Sequence, residues 1–132
     1  MPKEDYLIKY LEKLARAIAA MLGMREKGSY NTALEVADET FREMISLSLT
    51  DILNLSVEDF ELTIEKEAFT ATFLDSLARL AYQTYLNFGD KGEVELHKAF
   101  AQKALVLYRL LNRKDKTFSF ERESIIAELE SH

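Results

Sequence analysis

Cysteine and tryptophan are absent from this 132-residue chain, proline occurs once, and glycine only four times. Without cysteine there is no disulfide and no thiolate metal site, a composition that fits a reducing cytosol. Strand-rich domains need many turns and usually carry more proline and glycine, so the scarcity of both argues for helices. The glycines are clustered, Gly23 with Gly28 and Gly89 with Gly92, and long stretches without a breaker lie between them. Long apolar runs are missing too. Ala17 to Leu22 is too short to span a bilayer and lacks a cleavage-like flank. The opening Met1-Pro2-Lys3-Glu4-Asp5 is charged and reads as the start of a helix. A soluble, cytoplasmic protein with no membrane partner is expected. A chain of this length can bury roughly 65–70% of its unfolded surface without a staple, and one domain over residues 1–132 is the natural reading.

The net charge of −6 is unevenly spread. Residues 28–67 hold ten Asp and Glu against two Lys and Arg, whereas residues 68–132 hold nine of each. An acidic middle repels phosphate backbones and anionic lipid alike, which argues against a nucleic-acid partner.

Apolar spacing predicts the elements. Leu7, Leu11, Leu14, Ile18 and Leu22 form one stripe of a helix from about Lys3 to Lys27. Glu4 and Asp5 in its first turn, and Arg25 and Lys27 in its last, suit the helix dipole, and Pro2 is tolerated there. A second helix follows Gly28, with Ser29 as its expected N-cap and a stripe of Tyr30, Ala33, Leu34, Ala37, Phe41, Met44 and Ile45. The pattern then blurs through Leu47 to Leu55, read as a short, well-buried turn or helix. Ser56 with Asp59 resembles a capping box opening a short helix to Glu65. The next is expected from Lys66 to Phe88, closed by Gly89-Asp90-Lys91-Gly92. Another, from Glu93 to Asn112, is apolar on two sides and therefore central. The last follows Thr117 or Ser119 and carries Phe120, Ile125, Ile126 and Leu129. The fold class is all-α: five to six helices in antiparallel pairs joined by short turns.

Some fragments resemble tetratricopeptide repeats. Gly28-Ser29-Tyr30 with Ala33-Leu34 is similar to the start of a repeat helix, and Ala37 with Phe41 matches the Ala-x-x-x-Phe element. Leu80-Ala81 with Tyr85, then Gly89-Asp90 and Lys103-Ala104-Leu105, are similar again. The resemblance implies a divergent tetratricopeptide-like fold. The repeat period should be about 34 residues, but the glycine turns lie 61 to 64 positions apart, so an irregular helical bundle stands as the alternative. Glu4-Asp5-Tyr6-Leu7-Ile8 and the segment from Leu110 to Arg122 also resemble an uncharacterised bacterial family of small helical proteins. That resemblance implies a helical fold and carries over no functional residue.

Candidate chemistry is sparse. His97 is the one histidine away from the end of the chain, and Glu93 lies four residues before it on the same helix face. The pair could share a metal ion, but further ligands are wanting, and an ordinary helical histidine is the simpler reading. Glu58, Glu61 and Glu65 share a face, as do Glu35, Asp38, Glu39 and Glu43; both read as solvated acidic faces or as a docking surface for a basic partner. No nucleophile–base constellation and no phosphate loop is present, and Gly89-x-x-Gly92 reads as a helix stop. Arg109, Arg113, Lys114 and Lys116 near Phe118 and Phe120 could bind an anion or a nucleic-acid strand. They read more simply as dipole complements beside two core aromatics. Tyr6, Tyr10, Tyr82, Tyr85 and Tyr108 are expected in the core with hydroxyls reaching the surface.

No motif specifies an enzyme, and no catalytic, cofactor or metal residue is assigned. The expected function is a non-catalytic protein–protein interaction domain with an unidentified protein partner, capable of self-association. A small-molecule-binding helical domain is the first alternative. A nucleic-acid accessory protein is the second.

Overall fold

In a computed structural model, residues 4–132 are described, with side chains from Tyr6 onward. Pro2 lies outside the described residues, and so do the side chains of Glu4 and Asp5 on which their expected dipole role rests. The element order is α1 (Glu4–Glu26), α2 (Tyr30–Ile45), α3 (Leu49–Asn54), α4 (Val57–Lys66), α5 (Ala71–Lys91), α6 (Val94–Lys114) and α7 (Phe120–Glu130). The described residues form seven helices and no strand, so the all-α class holds and the expected five to six is an undercount.

The extra helix has a local cause. Ser48 Oγ accepts from the Asp51 amide at 3.0 Å, and the Ser48 amide donates to Asp51 Oδ2 at 2.9 Å. This reciprocal capping box starts α3 inside the blurred apolar stretch. At Ser56 only half of that arrangement forms: its hydroxyl accepts from the Asp59 amide. Ser29 occupies the N-cap of α2 but makes no side-chain capping bond. The helix expected from Lys66 begins at Ala71 instead, where Thr70 Oγ1 accepts from the Phe73 amide. Ala68 sits in the left-handed region at φ 51°, breaking the chain without glycine or proline. Gly89, Asp90 and Lys91 belong to α5, and left-handed Gly92 (φ 86°) is its cap.

The α5–α6 hairpin is the centre of the molecule. The α1–α2 hairpin lies against α5, while α3, α4 and α7 pack on α6. Being covered on several sides explains the two apolar faces of α6: Phe100, Ala104, Leu107 and Leu111 are buried, and so are Leu105, Tyr108 and Leu110. The buried face of α1 is turned from the expected stripe, toward Leu14, Ala17 and Met21, leaving Leu22 41% exposed. Phe118 and Phe120, expected in the core, are 66% and 83% exposed. They flank the opening of α7, which docks through Ile126 and Leu129.

A charged residue enters this core. Lys103 is 4% exposed and donates from Nζ to the Ile52 carbonyl at 2.7 Å. It satisfies one of the carbonyls left over at the end of α3 and ties that short helix to α6. No described helix is long and apolar enough to cross a membrane.

Candidate functional site

A cavity of about 250 Å3 opens where α4, the start of α5 and the end of α6 meet. Ile64, Phe69, Leu74 and Leu110 form its apolar walls, and Glu65, Arg113 and Lys114 add charge. Each comes from ordinary helix logic. Ile64 is the buried anchor of α4, Leu74 sits one turn into α5, and Leu110 lies on the second apolar face of α6. Phe69 precedes the α5 cap and packs at a tilt against Phe73, ring centroids 4.5 Å apart. Lys114 Nζ donates to the Phe69 carbonyl, which holds the ammonium at the cavity wall. Arg113 approaches Glu61 at 3.6 Å, with its side chain 57% exposed.

A second cluster joins α5, α6 and α7. His97 Nδ1 lies 2.8 Å from the Tyr85 carbonyl oxygen. Because a carbonyl only accepts, that nitrogen carries the proton. The imidazole stacks on the Tyr85 ring at 4.0 Å, and Tyr85 Oη meets His132 Nε2 at 2.6 Å. Tyr82 Oη donates to Glu128 Oε1 at 2.7 Å. Burial, helped by the Glu128 carboxylate, pushes the Tyr85 phenol up to about 12. Burial and the hydrogen bond to Glu128 push Tyr82 up as well. Glu93 takes no part: its carboxylate approaches Lys91 at 3.6 Å, and only its carbonyl meets the His97 amide. Among the described residues no three His, Asp or Glu side chains gather where they could hold a metal ion.

A smaller polar cavity, about 40 Å3, lies between α5, α6 and α7 beside Asp75, Arg79, Tyr108, Glu121 and Arg122. Tyr108 is 2% exposed, so its hydroxyl does not reach the surface as expected. That hydroxyl has no hydrogen-bond partner among the described residues, and burial pushes the phenol up. Ion pairs hold two of its arginines: Arg79 with Asp75 at 3.0 Å, on the exposed side, and Arg122 with Asp115 at 3.0 Å. Tyr6, also expected in the core, is exposed.

The basic residues grouped in sequence diverge in space. Arg109 pairs with Glu130 on α7 at 3.0 Å, Arg113 turns to α4, Lys114 turns to Phe69, and Lys116 is exposed. Of Glu58, Glu61 and Glu65 on α4, Glu61 meets Arg113 and Glu65 lines the cavity. The apolar cavity itself was not legible in the sequence, because a cavity wall and a packed core residue obey the same spacing. Chemically, the arrangement can enclose an apolar group and meet a charge at its edge. No protein family, characterised protein or solved structure matches the chain.

Proposed function

We propose that this chain is a cytoplasmic, non-catalytic binding domain whose recognition site is the apolar cavity beside α4, and that the ligand is a small molecule. The observation that carries this reading is about 250 Å3 of space walled by Ile64, Phe69, Leu74 and Leu110 with charges at the edge. Protein interiors are close-packed and hold few voids larger than water. An apolar cavity of roughly 150 Å3 already takes up benzene. Apolar walls with a few placed polar groups are the usual build of a small-ligand site. The architecture is best described as an irregular bundle rather than a repeat array, because α3 and α4 separate the two long hairpins.

The test is a titration of methyl-labelled protein with small aromatic fragments. Methyl shifts confined to Ile64, Leu74 and Leu110 are expected, and Leu110→Phe, which fills the space, should weaken them. Shifts scattered over the surface, or none at millimolar fragment, would sink the reading.

A protein partner is the second reading, favoured by one feature. The exposed rings of Phe118 and Phe120 meet edge-on with centroids 4.7 Å apart, and aromatic residues are enriched at protein interfaces. If this pair mediates self-association, sedimentation will show an oligomer that Phe118→Ser with Phe120→Ser converts to monomer. A wild-type monomer at high concentration would remove the self-association reading.

A further inference from the structure

We propose that the cavity selects its ligand by charge as well as shape: an apolar body about one aromatic ring in size, with a short chain ending in a single carboxylate that Lys114 anchors. This rests on the binding-site reading above and adds the ligand's chemical class.

The size follows from the volume. A cavity of roughly 150 Å3 takes up benzene, so about 250 Å3 has room for one ring and a short chain.

The sign follows from which charges are held in place. The N-terminus of α5 and the C-terminus of α6 meet at this end of the hairpin, and their opposite dipoles offset one another. Side chains therefore decide. Arg113 shares its charge with Glu61 at 3.6 Å. Glu65 is exposed, makes no ion pair among the described residues, and is free to point to solvent. Lys114 differs. Its ammonium is pinned at the wall by the Phe69 carbonyl, while Phe69 itself is buried. No carboxylate of the described residues pairs with Lys114, and an ammonium has three protons to donate. One goes to Phe69, leaving two for solvent or for a group at the cavity mouth. The charge fixed in position at this site is thus positive, and a carboxylate is the group that completes it.

Three probes with one body and different ends separate the possibilities: 3-phenylpropionate, 3-phenyl-1-propanol and 3-phenylpropylamine, titrated at low salt and followed at the Ile64, Leu74 and Leu110 methyls. The propionate should bind at least about ten-fold tighter than the alcohol, the gain expected of one charge-assisted hydrogen bond. Lys114→Gln, which keeps a donor for Phe69 but removes the charge, should bring acid and alcohol to similar affinity. Lys114→Arg should restore much of the preference. Equal affinity of acid and alcohol would overturn the carboxylate assignment while leaving the cavity reading intact. Tighter binding of the amine would overturn it in favour of Glu65. An acid preference that survives Lys114→Gln would overturn the role of Lys114. Absence of any shift at the three methyls with all three probes would remove both this inference and the site beneath it.

Discussion

His97 lies flat on Tyr85, ring centroids 4.0 Å apart and planes 14° from parallel, while its Nδ1 binds the Tyr85 backbone carbonyl at 2.8 Å. Gly89, one turn further along α5, makes room for the ring. A Cβ there would stand 2.7 Å from His97 Cε1 and 2.8 Å from Nδ1.

Gly89→Ala should therefore destabilise the fold by about 1–2 kcal/mol, overpacking outweighing the better helix propensity of alanine. Gly23 provides the contrast. It lies within α1 with nothing within 4 Å of a built Cβ, so Gly23→Ala should stabilise by roughly 0.5–1 kcal/mol. In a His97→Ala background, Gly89→Ala should change sign and become stabilising. Urea denaturation of the single and double variants measures all three.

The two serines that begin helices predict different costs. Ser48→Ala removes the hydroxyl that accepts from the Asp51 amide while leaving the backbone half of the capping box, and should cost about 1 kcal/mol. Ser29→Ala removes no side-chain bond and should cost little. The Asp51 carboxyl is held below its ordinary value of 3.8, chiefly by the Ser48 amide and then the Ser48 hydroxyl. Its folded-state value is lowered, so its contribution is present above the ordinary value and is lost as pH falls through the folded one. Acid unfolding curves should show Asp51→Asn losing part of that dependence.

Lys103 predicts a slope of the same sign on the other side of neutrality. Burial pushes its ammonium below the ordinary 10.5. Between the folded value and 10.5 the unfolded chain binds more protons, so stability from this group rises as pH climbs. Lys103→Met should abolish this rise. At pH 7 the substitution should be close to neutral, since it removes a buried charge but leaves the Ile52 carbonyl unpaired. Denaturant midpoints measured from pH 7 to 9.5 for both proteins check the slope.

Above that range the tyrosines act in reverse. Burial raises Tyr82, and Tyr85 to about 12. The unfolded phenols ionise first, near 10, so stability present below that pH is lost as pH rises through 10 toward 12. Tyr82→Phe should lessen the alkaline loss. It should also cost about 1–2 kcal/mol at neutral pH by stripping the Glu128 carboxylate of its donor. Hydrogen exchange should localise the damage to α7, whose hold on α5 includes this bond.

Several features were readable without coordinates because their causes are local. Period-3.6 spacing and the lack of breakers imply helices, and both apolar faces of α6 mark it as central before any packing is known. The cap at Ser56 follows from its spacing to Asp59, and of the two expected starts for the last helix, Thr117 and Ser119, it is Ser119 that caps it. Other features depend on neighbours distant in sequence. Whether Leu22 or Met21 faces the core depends on where α2 and α5 lie. Phe120 is exposed because α7 docks through Ile126 and Leu129 instead. The break at Ala68 carries no glycine or proline to announce it.

The sequence by itself determined the helical class, the hairpin turns at Gly28 and Gly92, and the lack of any thiol chemistry. Each rests on backbone conformation or residue identity over a few positions. Only the tertiary structure decided that Lys103 is buried on the end of α3, that His97 nests against Gly89, and that Lys114 stands at the wall of an apolar cavity. Those are contacts between residues 45 to 51 positions apart, or across a hairpin, and a spacing rule within one helix carries no information about what the neighbouring helix brings to meet it.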